Sequence, residues 1–125
     1  MTLNEYQEQA MTTNAASSDN ETYSLFGLVA EVGEIADKIA KGVRNGTITI
    51  CDDCIRPAVL SDDRKVQQSH LDFEEGIKKE LGDVLWFCAH LADRFNWPLE
   101  EVAQLNLDKL AKRKAEGTII THTDH

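Results

Sequence analysis

Proline and glycine are sparse, two and seven in 125 residues, which excludes a collagen-like repeat or a Pro/Gly-rich linker. Cysteine is scarcer than a disulfide framework requires: there are three, an odd number without dense spacing. Long apolar runs are missing. The longest, Val84 to Ala89, is six residues, far short of the roughly 20 needed to span a bilayer. The first residues lack a basic stretch followed by an apolar core, so no secretory signal is expected. Positive charge is in the minority, 13 Lys and Arg against 22 Asp and Glu, for a formal net charge of −9. Such a surface repels a phosphate backbone and disfavours sequence-independent nucleic-acid binding. It still admits a phosphorylated small molecule, provided divalent cations bridge the two negative partners. What is present is 42% hydrophobic and 28% charged residues, a globular composition. The length suits one domain over residues 1–125. The expectation is a soluble, cytoplasmic domain with no membrane and no nucleic-acid partner.

Four stretches carry helical periodicity, and the expected fold class is an all-α four-helix bundle. Residues 2–16 place Leu3, Tyr6, Ala10 and Met11 at helical spacing. From Glu21 to Val43, Leu25, Leu28, Val29, Val32, Ile35, Ala36, Ile39 and Val43 keep to one face, an arc of roughly 120° that reads as core. A third stretch, about residues 71–95, repeats this with Ile77, Leu81, Val84, Leu85, Cys88, Leu91, Ala92 and Phe95. The fourth is expected to start with Pro98 at the first helical position. Glu100 and Glu101 suit its positive end, Lys112, Arg113 and Lys114 its negative end, and Gly117 its stop. Residues 44–70 do not read as helix. Thr47-Ile48-Thr49-Ile50 alternates with period two, and Pro57 and paired aspartates punctuate the rest of that stretch, so a hairpin or irregular insert is predicted there. Four helices of this length bury a modest core, and association as a homodimer or homotetramer is expected.

Two acid-x-x-acid pairs carry the first chemical signal: Glu31 with Glu34, and Glu80 with Asp83. The i,i+3 spacing sets both carboxylates of a pair on one side of a helix. Each pair flanks its apolar arc on the same side, the second acid falling about 60° from the first and away from the arc. Packed antiparallel, the two helices could bring four carboxylates together. Such a cluster repels itself unless a cation neutralises it, and hard oxygen donors without imidazole or thiolate favour Mg²⁺ or Mn²⁺. Taken singly, either pair would be ordinary on a solvated face. The adjacent Gly33 and Gly82 each cost roughly 1 kcal/mol of helix propensity, which suggests close packing at both positions.

Other residues read two ways. Asn106, Lys109 and Arg113 lie within about 60° of one another on the apolar side of the fourth helix, suited to clamping phosphate oxygens or to salt bridges with acidic helices. Phe87 and His90 continue the Asp83 stripe at i+4 and i+7, so Phe87 could stack on a nucleobase or simply pack in the core. Trp97 reads as a packing anchor, Lys38 and Lys41 as solvated lysines within possible reach of phosphate, and Cys88 as core. Cys51-Asp52-Asp53-Cys54 is half a zinc site with no second pair in the chain. Either two copies assemble four thiolates, or the pair flanks a tight turn and stays reduced.

The ordered set resembles a known family. Gly27 through Asp37, then Lys79 through Trp86, then Asn106 through Arg113 are similar to the MazG-like all-α nucleoside triphosphate pyrophosphohydrolases, with the 44–70 insert unmatched. The resemblance implies hydrolysis of a (deoxy)nucleoside triphosphate to monophosphate and pyrophosphate, in keeping with clearing of the nucleotide pool. It implies Mg²⁺ held by Glu31, Glu34, Glu80 and Asp83 and triphosphate bound by Lys109 and Arg113, with Asn106 in the same polar run; the base is assigned to Phe87 from its place on the Asp83 stripe alone. Glu34 is the carboxylate assigned to accept a proton from water. The family pattern usually reads Glu-Glu-x-x-Glu, and Ala30 stands where its first Glu is expected. Two rival readings are a phosphoribosyl-ATP pyrophosphohydrolase-like enzyme and a non-catalytic bundle that binds nucleotide or protein. A di-iron carboxylate bundle is disfavoured because no Glu-x-x-His occurs.

Overall fold

A computed structural model describes residues 1–57 and 64–117, the side chains of Pro57 and Val66 excepted. Among the described residues the protein is all-α apart from one small hairpin. Its elements are α1 (Leu3–Met11), a 3₁₀ turn (Ala16–Ser18), α2 (Glu21–Arg44), β1 (Ile48–Ile50), β2 (Ile55–Pro57), α3 (Arg64–Arg94) and α4 (Leu99–Ala115). No helix among them is long and apolar enough to cross a membrane. The chain divides into two compact units: Met1–Glu21 with Ala89–His125, and the continuous segment Thr22–Cys88.

In the first unit α1 opens with a capping box. Thr2 Oγ1 accepts from the Glu5 amide at 3.1 Å, and the Glu5 carboxylate accepts from the Thr2 amide at 3.1 Å. The helix is shorter than the predicted 2–16, because the Thr12 and Thr13 hydroxyls turn back onto the Gln9 and Ala10 carbonyls and close its last turn. Pro98 is the residue before α4 rather than its first, and its side chain cannot cap. Side chains of α1 do so instead. Asn4 Oδ1 accepts from the Glu100 amide at 3.0 Å and Gln7 Oε1 from the Leu99 amide at 2.9 Å, while Gln7 Nε2 donates to the Trp97 carbonyl at 3.0 Å. Buried Ala89, Ala92 and Leu99, with Tyr6 and Met11 packed on them, form the apolar core of this unit. Beside it His90 is fully buried, its Nε2 3.0 Å from Asn14 Oδ1. Arg94 binds Asp19 at 2.8 Å and Glu21 at 3.5 Å.

α3 ends on a left-handed residue, Asn96, with φ +59°. The Trp97 amide donates to the Ala92 carbonyl and the Asn96 amide to that of Asp93, the paired bonds of a Schellman cap. α2 ends the same way on Gly46, φ +73°, with Thr47 bonded to Gly42 and Gly46 to Val43.

In the second unit contacts between α2 and α3 run in opposite senses. Tyr23 and Gly27 meet Trp86 and Phe87, Glu31 meets Glu80 and Asp83, and Lys38 meets Glu80 and Gly76. The two helices are therefore antiparallel. Gly27 permits the contact, since a Cβ there would overlap the Phe87 ring. Gly42 likewise leaves room for buried Ile48, whose Cγ1 would lie 2.7 Å from an added Cβ. The predicted insert does contain a hairpin, with Ile48 opposite Pro57, Thr49 opposite Arg56 and Ile50 opposite Ile55. The insert is shorter than 44–70, because α3 begins at Arg64. The first turns of α3 are polar and mostly exposed and are held by i,i+4 pairs, Gln68 to Asp72 at 2.8 Å and His70 to Glu74 at 3.2 Å. Apolar periodicity cannot mark such turns.

The apolar arc read as core on α2 is only partly core. Leu28, Ile35 and Ile39 are half-buried, and the buried residues of the helix are Ser24 and Gly42. Leu25, Val29, Val32 and Val43 are exposed, Val29 by 71%. On α3, Leu81 and Leu85 are exposed and Cys88 is half-buried.

Candidate metal centre

The inner face of α2 carries Glu31 between Gly27 and Lys38, one and two turns away. Antiparallel α3 presents Glu80 and Asp83 to it at i,i+3. One carboxylate oxygen from each of Glu31, Glu80 and Asp83 lies within 4.8 Å of the others. Glu31 and Glu80 are half-buried and Asp83 is exposed. Partial burial of Glu31, the hydrogen bond that its protonated form donates to the Glu80 carboxylate and the charges of Asp83, Glu80 and Glu34 all hold its carboxyl above the usual carboxylate range. Each of these causes disfavours negative charge on Glu31. Lys38 Nζ, 3.7 Å from Glu80 Oε1, offsets part of the excess. Three hard oxygen donors that keep an excess of negative charge fit Mg²⁺ or Mn²⁺ and suit soft metals poorly.

The MazG nucleotide pyrophosphohydrolase domain matches residues 19–118. The chain belongs to this family. It is also similar to the Gene 37 protein of Mycobacterium phage L5, 33% identical over 103 residues that cover 82% of this chain and 74% of the phage protein. No solved structure gives a significant match.

In this MazG chain three of the four expected metal ligands come together. Glu34, i+3 from Glu31, is exposed and stands outside the three-carboxylate cluster, although its charge is felt at Glu31. Phe87 is only 8% exposed. Its ring lies over Gly27, 5.4 Å from Tyr23 and 5.0 Å from Trp86 between centroids, which is the packing alternative of the two read for it. Asn106, Lys109 and Arg113 are exposed on α4, in the unit that does not hold the acidic cluster. Their helix side is not buried in the single chain, since of α4 only Leu99 is. Gly33 and Gly82 do not serve close packing within the chain, because a Cβ at either would meet nothing within 4 Å. The close approaches are at Gly27 and Gly42.

Sequence reasoning undervalued two residues. Lys38 read as solvated, yet it lies against Gly76 and faces Glu80. The signal was its place seven residues, two turns, after Glu31. Gly27 sits four residues before Glu31, which sets the helix backbone against an aromatic ring one turn from the acids.

Proposed function

We propose that the protein hydrolyses the α–β phosphoanhydride of a (deoxy)nucleoside triphosphate, giving monophosphate and pyrophosphate, with Mg²⁺ as cofactor and Mn²⁺ as substitute. The observation that carries this reading is the three-carboxylate cluster of Glu31, Glu80 and Asp83 in a chain of this family. A nucleotide pyrophosphohydrolase that uses a divalent cation is the general expectation for the family; the bond cut, the metal and a role in clearing the nucleotide pool are the proposal.

Glu31, Glu80 and Asp83 would hold the cation. Bound there, it would neutralise phosphate charge and make water a better nucleophile at neutral pH. Lys38 keeps Glu80 in place beside Glu31 and limits repulsion before substrate arrives. Glu34 lies outside the cluster and is open to solvent, so it suits the task of accepting the proton from the attacking water. Lys109 and Arg113, at i,i+4 on α4, would bind the departing pyrophosphate, with Asn106 one turn before Lys109 on the same polar run.

The same reading includes a second copy of the chain. Leu25, Val29, Val32 and Val43 on α2 and Leu81 and Leu85 on α3 are exposed in the single chain, and apolar side chains in such rows mark an association surface. A homodimer or homotetramer would cover them.

The test is a panel of ribo- and deoxyribonucleoside triphosphates with Mg²⁺ or EDTA, the nucleotide products separated by ion exchange. Monophosphate and pyrophosphate appearing only with metal are the expected outcome. Diphosphate with orthophosphate, or metal-independent turnover, would overturn the proposal.

A further inference from the structure

The insert holds a pair of thiols that the proposed hydrolysis does not use. β1 and β2 pair from Ile48–Pro57 inward to Ile50–Ile55, and the next rung is Cys51 opposite Cys54. The Cys51 amide donates to the Cys54 carbonyl at 2.7 Å, leaving Asp52 and Asp53 as a two-residue turn. Directly opposed residues of an antiparallel pair project to the same face. A hydrogen-bonded rung sets its Cα atoms about 5.5 Å apart, inside the range of roughly 4.4–6.8 Å that a disulfide spans. Both cysteines are free, Cys51 exposed and Cys54 partly so.

Arg56 follows Cys54 by two residues, so it shares a face of β2 with it. Its Nε donates to Cys54 Sγ at 2.9 Å. A cationic donor of this kind neutralises negative charge that builds on a sulfur as it attacks or leaves. Among the described residues no third His, Cys, Asp or Glu joins the two sulfurs within metal-ligating reach, and Arg56 occupies the space beside one of them.

We propose that Cys51 and Cys54 are a thiol–disulfide exchange site at the hairpin tip, closed to an intrachain disulfide by a small-molecule disulfide and reopened by the matching thiol. Cys54 gives its thiol proton to solvent, and its sulfur attacks one sulfur of the oxidant R–S–S–R, breaking that S–S bond, forming Cys54–S–S–R and expelling R–S⁻, which takes up a proton. Cys51 gives its proton to solvent and attacks the Cys54 sulfur, displacing the second R–S⁻. The protein loses two electrons and two protons, and the oxidant becomes two R–SH. The division of labour follows the local contacts: a hydrogen bond to Cys54, with some burial, holds the Cys51 thiol above its ordinary range, so Cys51 is the second sulfur to react. Cys88 is half-buried and its thiol is pushed up by burial alone, which makes it an internal control.

The experiment uses the intact chain at neutral pH in graded mixtures of oxidised and reduced glutathione, with acid quench, alkylation, intact mass and peptide mapping. The expected product is a single species two hydrogens lighter, bridged within the 51–54 peptide, alkylated at Cys88 and restored by excess reduced glutathione. Cys51→Ser stops at one mixed disulfide on Cys54. Cys54→Ser forms its adduct at least about tenfold more slowly, and Arg56→Gln slows bridging by about three- to tenfold with the far-UV spectrum unchanged. Two glutathiones per chain without a bridge, equal adduct rates in the two serine variants, or one zinc ion copurifying with every two chains would overturn the assignment.

Discussion

At Glu31 partial burial and three neighbouring carboxylates act in the same direction, and all of them favour the protonated acid. A cation reverses the balance. Mg²⁺ or Mn²⁺ at one hundred times its dissociation constant is therefore expected to raise unfolding stability by about 2.7 kcal/mol, read as a shift in thermal midpoint. Glu31→Gln should abolish that shift, and without metal it should unfold no earlier than the parent, because it removes a charge its neighbours oppose. Asp83→Asn should lose the metal response and turnover together. Glu34→Gln separates the two roles: turnover is expected to vanish while the metal-induced shift and helical signal persist. A retained rate in that variant would take Glu34 out of the chemistry. The acids were legible because i,i+3 spacing is fixed by helix geometry, and three of the four meet. Which of them stays outside depends on how α3 is rotated against α2, and no spacing within one helix encodes that. Phe87 illustrates the same limit: its helical phase was right, but where its ring settles is decided by the missing side chain at Gly27.

On the scale of elements, the glycines of α2 make opposite predictions. Gly27→Ala forces a methyl group into the Phe87 ring and should destabilise the protein by roughly 1–3 kcal/mol in chemical denaturation. Gly33→Ala meets open space in the single chain and should stabilise by roughly 0.5–1 kcal/mol from helix propensity. A loss there would mean that a second copy closes on this surface. The α1–α2 connection is pinned by Arg94, which hydrogen-bonds Asp19 and holds its carboxyl below the usual carboxylate range. A depressed acid stabilises the fold above its unfolded pKa and loses that contribution as pH falls through the folded value. The difference in thermal midpoint between the parent and Asp19→Asn should thus be largest near neutral pH and close as pH drops below about 4. The sequence marked the hairpin through its alternation and the end of α4 through Gly117. It did not mark the start of α3, whose opening turns owe their helix to polar i,i+4 pairs with no apolar face to betray them.

For the whole molecule, the apolar stripe of α2 is a surface in the single chain, although its periodicity is that of a core. Both statements hold if the core is completed by another copy, and a sequence pattern cannot distinguish its own chain's interior from one shared between chains. Light scattering at micromolar concentration should give a multiple of 14.0 kDa. Val29→Glu, which sets a charge in the middle of the stripe, should shift the protein toward monomer with its helical content kept. A parent protein that is monomeric would overturn the association.

The caps of α4 have a consequence for the order of events during synthesis. Asn4 and Gln7 satisfy amides more than ninety residues further along the chain, so their unit cannot close until α4 has been made. The unit from Thr22 to Cys88 is continuous and faces no such wait. Chains grow from the N-terminus and contacts between distant residues form slowly. The acidic cluster can therefore assemble on a nascent chain while α1 is still without its partner, and the helix translated first is the last to find its place.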